Sequence, residues 1–157
     1  MSETGHQSGS SSARGSRYAE VAARLPRIGR PFADLYRSFW TLQSVPPSTL
    51  ELCRLRLAQL HGSDLAWQHQ EVAVGDERRQ GLRQWPGSDL FSPAEKACLE
   101  LCEVHAMDAR AITDDQADAV KAHYGEVGYV AVVQALGVFD AVIRLGLIWD
   151  LSSAEVD

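Results

Sequence analysis

The sequence predicts an all-α fold, a bundle of six or seven helices that assembles into an oligomer. Apolar residues recur at helical spacing along most of the chain, and no stretch shows the sustained alternation of a half-buried strand. Several serine or threonine residues are also followed, three positions later, by glutamate or glutamine. Such pairs cap each other's backbone amides where a helix begins. The pairs are Ser48–Glu51, Ser92–Glu95 and Thr113–Gln116.

Prolines and glycines divide the chain into these helices. Pro46 and Pro47 end one apolar stripe, and Gly62 and Gly125 have the conformational freedom that suits a helix end. A short helical turn is predicted over residues 18–25, and a weaker helix over 77–85. The stronger helices are predicted over residues 32–42, 48–62, 64–74, 92–104, 113–125 and 127–149.

The composition predicts one domain between two tails. With 157 residues, 45% of them hydrophobic, the chain can bury one core. Nine of the first sixteen residues are serine or glycine, so residues 1–16 are expected to be disordered because they bury too little apolar surface. They also lack the apolar segment of a secretion signal. The helical domain is predicted over residues 17–151, and residues 152–157 form a second tail.

Charge and cysteine content narrow the class of protein. The formal net charge of −6 argues against general nucleic-acid binding, which relies on clustered positive charge. The arginines between residues 14 and 30 are expected to form a solvated face. Three cysteines without a paired spacing typical of secreted domains indicate a reducing compartment. We therefore expect a cytoplasmic protein that binds no nucleic acid.

The longest apolar stretch, residues 127–149, is expected to be a core helix rather than a membrane span. It contains Asp140 and Arg144, which are four residues apart and can pair on one helix face, whereas charges are rare in membrane-spanning helices. Because this helix is apolar nearly all round, we expect it to be the most buried one and to contribute to an oligomer interface. No association with a membrane is expected.

Three stretches of the chain resemble a known superfamily. They are residues 51–62 (ELCRLRLAQLHG), 90–97 (LFSPAEKA) and 136–145 (LGVFDAVIRL). Their order and spacing are similar to those of the carboxymuconolactone decarboxylase / alkylhydroperoxidase D (AhpD-like) superfamily, and the resemblance extends over about residues 18–151. It implies a helical subunit that forms homo-trimers or homo-hexamers, with active sites near the subunit contacts.

The peroxidase branch of this superfamily uses a glutamate, a Cys-x-x-Cys pair and a histidine. One thiolate attacks the peroxide, and the second thiol resolves the resulting sulfenate. Carried over residue by residue, Glu51 matches the glutamate, but Ser63 and Ala66 replace the cysteines and Gln70 replaces the histidine. The resemblance therefore implies a divergent member that has lost the dithiol peroxidase motif.

The decarboxylase-like branch favours a glutamate–tryptophan pair followed by a histidine. Trp67 matches the tryptophan, while Ala66 replaces the glutamate, and His69 lies one residue before the expected histidine. One step along a helix rotates a side chain by about 100°. His69 is therefore not automatically equivalent to the histidine of that branch.

Glu51, His69 and Glu71 are the candidate catalytic residues, because a histidine beside carboxylates is a workable general acid or base near neutral pH. Glu51 is expected on the helix entering the site, and the other two on the helix leaving it. A structural alternative stays open. In it, Glu51 only completes a capping box, Glu71 is a surface charge, and His69 is a partly exposed helix residue.

Four further residues are candidate substrate contacts, each with a structural alternative. Ser63 and Gln70 can hydrogen-bond a substrate carbonyl, or only cap and pack. Trp67 can contact a ligand or form the pocket wall, and it can position Glu71 four residues later. His61 can face the same pocket or interact with the dipole of its helix.

The cysteines give no metal site. Cys98, Cys102 and His105 share one face of a predicted helix, but nothing nearby supplies a further ligand at a recognised spacing. These thiols and Cys53 are expected to be small buried core groups. No glycine-rich cofactor loop or phosphate cradle is present, so neither a metal nor a cofactor is expected.

The expected function is cofactor-free acid–base chemistry on a small carbonyl-bearing metabolite: decarboxylation, isomerisation, or opening or closure of a lactone ring. Two alternatives stay open. One is a non-catalytic relative that keeps the pocket as a ligand-binding or scaffolding module. The other is residual peroxide reduction by a cysteine outside the family motif, either Cys53 or Cys98.

Overall fold

The computed structural model describes residues 20–151, most of which are helical. No strand occurs within this range, so the prediction of an all-α fold is confirmed. The predicted tails, residues 1–16 and 152–157, lie outside the described residues. The α-helices are α1 (Pro26–Ser38), α2 (Pro47–Leu60), α3 (Asp64–Gln68), α4 (Asp76–Gly81), α5 (Pro93–Asp108) and α6 (Asp114–Ile148). Three 3-10 helices connect them, at Phe39–Thr41, Leu82–Gly87 and Ala109–Ala111.

Two of the three predicted capping boxes are present. The Ser92 and Glu95 side chains each accept a hydrogen bond from the other residue's backbone amide, at 3.2 and 2.9 Å, where α5 begins. Thr113 and Gln116 do the same where α6 begins. The box predicted at Ser48–Glu51 is wrong. Helix α2 begins at Pro47, and the Glu51 side chain turns into the protein interior instead.

Helix α2 is the centre of the core and packs against α5 and α6, which also pack against each other. It buries nine of its 14 residues, whereas residues 127–148 of α6, the part that matches the predicted last helix, bury seven of 22. The expectation that the last helix is the most buried is therefore wrong. An apolar composition permits burial, but position in the bundle decides it, and α2 has neighbours on more of its sides.

Helix α1 lies at the edge of the bundle and contains no fully buried residue. The helix was predicted to begin after Pro31, but it begins at Pro26. A proline at the first helical position loses no hydrogen bond. Pro31 lies inside the helix and is exposed, and a peripheral helix can tolerate the loss of one backbone hydrogen bond there. The inner surface of α1 contacts α6 through Tyr36, whose ring centroid is 5.6 Å from that of Phe139.

A tight turn separates α2 from α3. Gly62 has φ of 65°, the backbone amide of Ser63 donates to the Ala58 carbonyl at 2.9 Å, and the amide of Gly62 donates to Gln59 at 3.2 Å. These two bonds form a Schellman motif, so the prediction of a C′ glycine at position 62 is confirmed. The predicted helix over 64–74 is wrong in length, because α3 ends at Gln68 and the chain is not helical from there to Gly75.

Helix α6 is interrupted at Gly125, where φ is 68° and ψ is −178°. The predicted helix end at this glycine is confirmed, and a second helical segment continues to Ile148. Among the described residues, α6 is the one helix whose length and composition would allow it to cross a membrane. It also supplies Val132, Leu136, Phe139 and other residues to the protein core.

Replacing Gly125 tests the importance of this break. The conformation at Gly125 is accessible almost only to glycine, so Gly125→Ala is expected to lower the free energy of unfolding by about 1–3 kcal/mol. Gly137→Ala is the matched control, since an added methyl meets nothing within 4 Å at either position. In the regular helix at Gly137 the same change should stabilise the protein by about 0.5–1 kcal/mol. Equal effects in urea unfolding would contradict this assignment.

Candidate functional site

A cavity of about 640 Å³ lies between α1, the second segment of α6, and residues 63–71. This volume is within the range of small-molecule binding sites, roughly 300–1,000 Å³. Most of the wall is apolar and includes Phe32, Phe139, Val142 and Ile143. The polar residues that line the cavity are Tyr36, Arg54, Ser63, His69 and Glu71, together with Arg30, Asp34 and Arg37 on α1.

The Arg54 side chain reaches the cavity from α2 and is paired with Glu51 one turn earlier. Its Nε atom donates to Glu51 Oε2 at 2.9 Å, and Nη2 donates to Oε1 at 2.7 Å. The two side chains are 4% and 0% exposed. Such a bidentate pair is required here, because an unpaired charge at this depth would be strongly destabilising.

Arg54 also determines where the following chain lies. Nη1 donates to the carbonyl of Ala66 at 2.8 Å, and Nη2 donates to the carbonyl of His69. A short helix such as α3 leaves its last carbonyls without helical partners, and a buried guanidinium satisfies them. Glu51 adds a third contact, since its Oε1 atom accepts from the backbone amide of Glu71 at 3.2 Å. The ion pair thus holds residues 66–71 against α2.

His69 and Glu71 form a partly exposed pair at the cavity. His69 Nε2 lies 3.0 Å from Glu71 Oε1, and the Tyr36 hydroxyl donates to the same oxygen at 2.9 Å. The two side chains of the pair are 35% and 27% exposed. The chain becomes extended at His69, with φ of −81° and ψ of 138°. His69 and Glu71 therefore lie beyond α3, and the prediction that they lie on this helix is wrong.

The two carboxylates differ in their electrostatic environment. Burial raises the pKa of Glu51, against the opposing effect of the hydrogen bonds and charge of Arg54. Burial also acts on Glu71, but hydrogen bonds from His69 and Tyr36 outweigh it and lower the pKa of Glu71. Burial raises the pKa of Tyr36, so its phenol stays protonated and remains a donor. Glu71 is therefore an ionised acceptor with two donors.

The structure brings together four of the seven residues singled out in the sequence. Ser63, His69 and Glu71 line the cavity, and Glu51 lies directly behind it through Arg54. Ser63 also caps α3, because its hydroxyl oxygen accepts from the amide of Ala66 at 3.3 Å. The capping alternative for Ser63 is confirmed, and its predicted hydrogen bond to a substrate carbonyl stays a prediction that its place at the cavity allows.

The other three residues are not among those that line the cavity. The Trp67 ring lies under the Arg79 guanidinium, 4.4 Å from ring centroid to Cζ. Because α3 ends at Gln68, Glu71 is not its neighbour one turn along a helix, contrary to the prediction. Gln70 is half-buried in the segment after α3 and does not reach the cavity. His61 lies at the end of α2, where its Nε2 atom is 2.5 Å from Asp140 Oδ1.

The predicted pair within α6 is present next to His61. Arg144 Nε donates to Asp140 Oδ2 at 2.6 Å, so Asp140 joins both basic side chains. This cluster connects the end of α2 to α6 outside the cavity. Its partners account for His61 without a ligand.

Sequence reasoning missed Tyr36 and Arg54. The spacing of Tyr36 places it in an apolar stripe, which hides the hydroxyl at its end. Arg54 follows Glu51 by three residues, a spacing at which opposite charges meet on a helix, and this signal could have identified the pair. It could not have shown that the pair is buried.

The thiols lie in the core, as predicted. All three cysteines are free and at most 1% exposed. A hydrogen bond with Cys102 and burial raise the pKa of Cys53, and burial raises that of Cys98. No cysteine lines the cavity. In the described part of the chain, no group of three or more histidine, cysteine, aspartate or glutamate residues is arranged to hold a metal ion.

Comparison with known proteins identifies the fold. No protein-family model matches the chain. A crystal structure of a protein of unknown function from Agrobacterium tumefaciens, for which a role as the antioxidant defence protein AhpD has been suggested, superposes with a TM-score of 0.69. The match covers 89% of this chain and 97% of that one, at 16% sequence identity. This chain has an AhpD-like helical fold.

A second protein is similar in sequence. The uncharacterized protein YdfG of Bacillus subtilis is 27% identical over 113 residues, which cover 66% of this chain and 75% of YdfG. The structural comparison agrees with the all-helical prediction and with the part of the resemblance that concerns the fold.

Removing Arg54 should show how much the buried ion pair contributes to the free energy of unfolding. Arg54→Met leaves Glu51 as an unpaired buried charge and is expected to lower the free energy of unfolding by about 3–5 kcal/mol. The matched control is Arg37→Met, because Arg37 and Asp34 form a pair with the same spacing but with side chains 68% exposed. The control should change stability by less than about 1 kcal/mol. Urea denaturation measures both.

Replacing both members of the pair separates charge burial from packing. Because well-packed apolar residues often replace a buried ion pair at little cost, Glu51→Met combined with Arg54→Met should be more stable than Arg54→Met alone. If the double variant is no more stable than the single one, the contacts of Arg54 with the backbone of residues 66–69 dominate over its charge.

The lowered pKa of Glu71 predicts a pH-dependent contribution to stability. A carboxylate with a lowered pKa stabilises the folded protein above its ordinary pKa of 4.5, and this contribution is lost as the pH falls through the folded-state value. Glu71→Gln should therefore reduce the free energy of unfolding at pH 7 by about 1 kcal/mol, and by less at pH 3. Glu77→Gln, at an exposed position, is the control, and a loss at Glu71 that is independent of pH would contradict the assignment.

Proposed function

We propose that the protein is a cofactor-free acid–base enzyme of the carboxymuconolactone decarboxylase type. Its substrate would be a small carbonyl-bearing metabolite, and the reaction a decarboxylation, an isomerisation or a lactone ring opening or closure. One observation carries the proposal: His69 lines the cavity and is oriented by the Glu71 carboxylate, which also binds Tyr36.

In this proposal His69 transfers the proton. When Glu71 accepts the Nε2–H hydrogen, the neutral ring has its basic lone pair on Nδ1. Nδ1 removes a proton from the carbon beside the substrate carbonyl and returns it to the product, so no net proton is consumed. The negative charge of Glu71 stabilises the imidazolium formed in between. Tyr36 holds Glu71 in place and is a positioning residue.

The developing negative charge on the substrate oxygen needs hydrogen-bond donors. Two groups of the cavity wall can supply them. Ser63 uses its hydroxyl oxygen to accept from Ala66, so its own O–H remains able to donate. Arg54 has five N–H hydrogens, of which four are used by Glu51, Ala66 and His69. Donors placed before the reaction begins lower the barrier most effectively.

We also propose that the chain is a divergent member of the carboxymuconolactone decarboxylase / AhpD-like superfamily. The shared fold and the three sequence stretches support this relationship. Peroxide reduction by the family mechanism is disfavoured, because Ser63 and Ala66 carry no thiol. Cys53 and Cys98 are buried, and their pKa values are raised. A non-catalytic ligand-binding module is the second candidate, favoured by the largely apolar cavity wall.

Assembly into homo-trimers or homo-hexamers is part of the proposal. Val127, Val130 and Ile148 on the second segment of α6 are 74%, 49% and 75% exposed in the single chain. Exposed apolar side chains grouped on one helix are typical of subunit contacts. Sedimentation velocity distinguishes a monomer from these assemblies.

Proton exchange in D₂O tests the catalytic proposal without knowledge of the natural substrate. The protein is incubated with 2-butanone, 2-octanone, cyclohexanone and δ-valerolactone, and loss of the hydrogens beside the carbonyl is followed by NMR. We expect the wild-type protein to accelerate exchange for at least one compound. His69→Ala should reduce this acceleration by about 10²–10⁴-fold, the usual contribution of a general acid or base.

The control is His123→Ala, because His123 is exposed and does not line the cavity. It should exchange at the wild-type rate. If the wild-type protein binds these compounds but exchanges none of them, the proposed enzyme is wrong and the ligand-binding module is correct. Exchange that survives in His69→Ala would assign the proton transfer to another residue.

A further inference from the structure

The cavity has a polar end and an apolar end. Tyr36 and Phe139 meet at the polar end, close to His69 and Glu71. From this contact the wall extends toward the N-terminal end of α1, as far as Pro26, and toward the C-terminal end of α6, as far as Gly146. Gly146 is seven residues beyond Phe139, a distance of about 10 Å along a helix. Side chains in this part of the wall are mostly apolar, among them Phe32, Ala33, Val142 and Ile143.

The charged residues of the cavity wall lie in two places, on α1 and at the polar end. Arg30, Asp34 and Arg37 are exposed positions on α1, and Asp34 and Arg37 neutralise each other in a solvated pair. At the polar end, Glu51 and Arg54 also cancel each other, which leaves the Glu71 carboxylate as the uncompensated charge when His69 is neutral. A ligand carboxylate placed there would add a second negative charge beside the Glu71 carboxylate, and like charges in contact repel even where the site is partly exposed. A neutral polar group avoids this cost.

We infer that the ligand is a neutral carbonyl compound with an extended apolar body. Its carbonyl oxygen lies at the polar end, within reach of the Ser63 hydroxyl and the remaining N–H of Arg54. Its body extends between α1 and α6 toward Gly146. The inference rests on the proposed function, because it places the carbon beside the carbonyl next to His69. It narrows the substrate class from small carbonyl metabolites in general to ketones, esters or lactones with an apolar chain. Such compounds have no carboxylate to lose, so the reaction narrows to isomerisation or to lactone ring opening or closure.

Calorimetric titration with two homologous series tests the ligand class. The full-length protein is titrated at pH 7.5 with methyl ketones from 2-pentanone to 2-decanone, and with straight-chain carboxylates of the same carbon numbers. Affinity for the ketones is expected to rise about fourfold with each buried methylene. Each carboxylate should bind at least tenfold more weakly than the matching ketone. Affinity independent of chain length, or tighter binding of the carboxylates, would overturn the inference.

A variant at Gly146 tests the position of the apolar body. An added Cβ at Gly146 meets nothing within 4 Å, so a larger side chain enters the cavity without forcing the backbone to move. Gly146→Leu should weaken 2-decanone binding at least tenfold and change 2-pentanone binding less than twofold. Gly137→Leu is the matched control, since Gly137 lies on the same helix, does not line the cavity and also has nothing within 4 Å of an added Cβ, and it should change both by less than twofold. Equal weakening of short and long ketones by Gly146→Leu would contradict the proposed path.

The two proposals fail in different ways. Chain-length-dependent binding that persists in His69→Ala, together with absent exchange in the wild-type protein, would support the ligand class and refute the catalytic role. His69-dependent exchange at the same efficiency for 2-butanone and 2-octanone, without any gain in affinity along the series, would support catalysis and refute the ligand class.

Discussion

The buried ion pair of Glu51 and Arg54 is the constraint on which the site depends. Neither charge can remain at this depth without the other, and the remaining donors of Arg54 need acceptors as well. The chain after α3 supplies them through the carbonyls of Ala66 and His69, and Glu51 accepts from the Glu71 amide. The position of the His69–Glu71 pair is therefore a consequence of satisfying a charge on α2.

This arrangement separates two carboxylates by environment. Glu51 is fully buried and permanently paired, so its function is to hold other groups in place. Glu71 is partly exposed and bonded to a histidine and a tyrosine, so it can respond to protonation of its neighbour. The Ser63 hydroxyl lies at the cavity, and none of the three cysteines lines it. In the proposed function this wall supports proton transfer rather than thiol oxidation.

Local signals predicted most of the helix ends. Ser92 with Glu95, Thr113 with Gln116, and the glycines at 62 and 125 act through atoms within a few residues of one another, so their effect can be read from spacing. Two other local signals were overridden. Glu51 pairs with Arg54 instead of forming a capping box with Ser48, and the carbonyl of His69 accepts from Arg54 instead of continuing α3 beyond Gln68. A buried charge requires partners more strongly than a helix end requires a cap.

The sequence alone therefore determined the fold class, the boundaries set by prolines, glycines and capping pairs, and the fact that a carboxylate and a histidine flank a turn at Gly62. Only the tertiary structure decided that Tyr36 and Arg54 belong to the site, and that His61, Trp67 and Gln70 do not line the cavity. The reason is the distance along the chain between the residues that interact. Helix formation depends on residues close in the chain, but the partner of a buried polar atom depends on how distant helices pack, and no spacing within one helix encodes that.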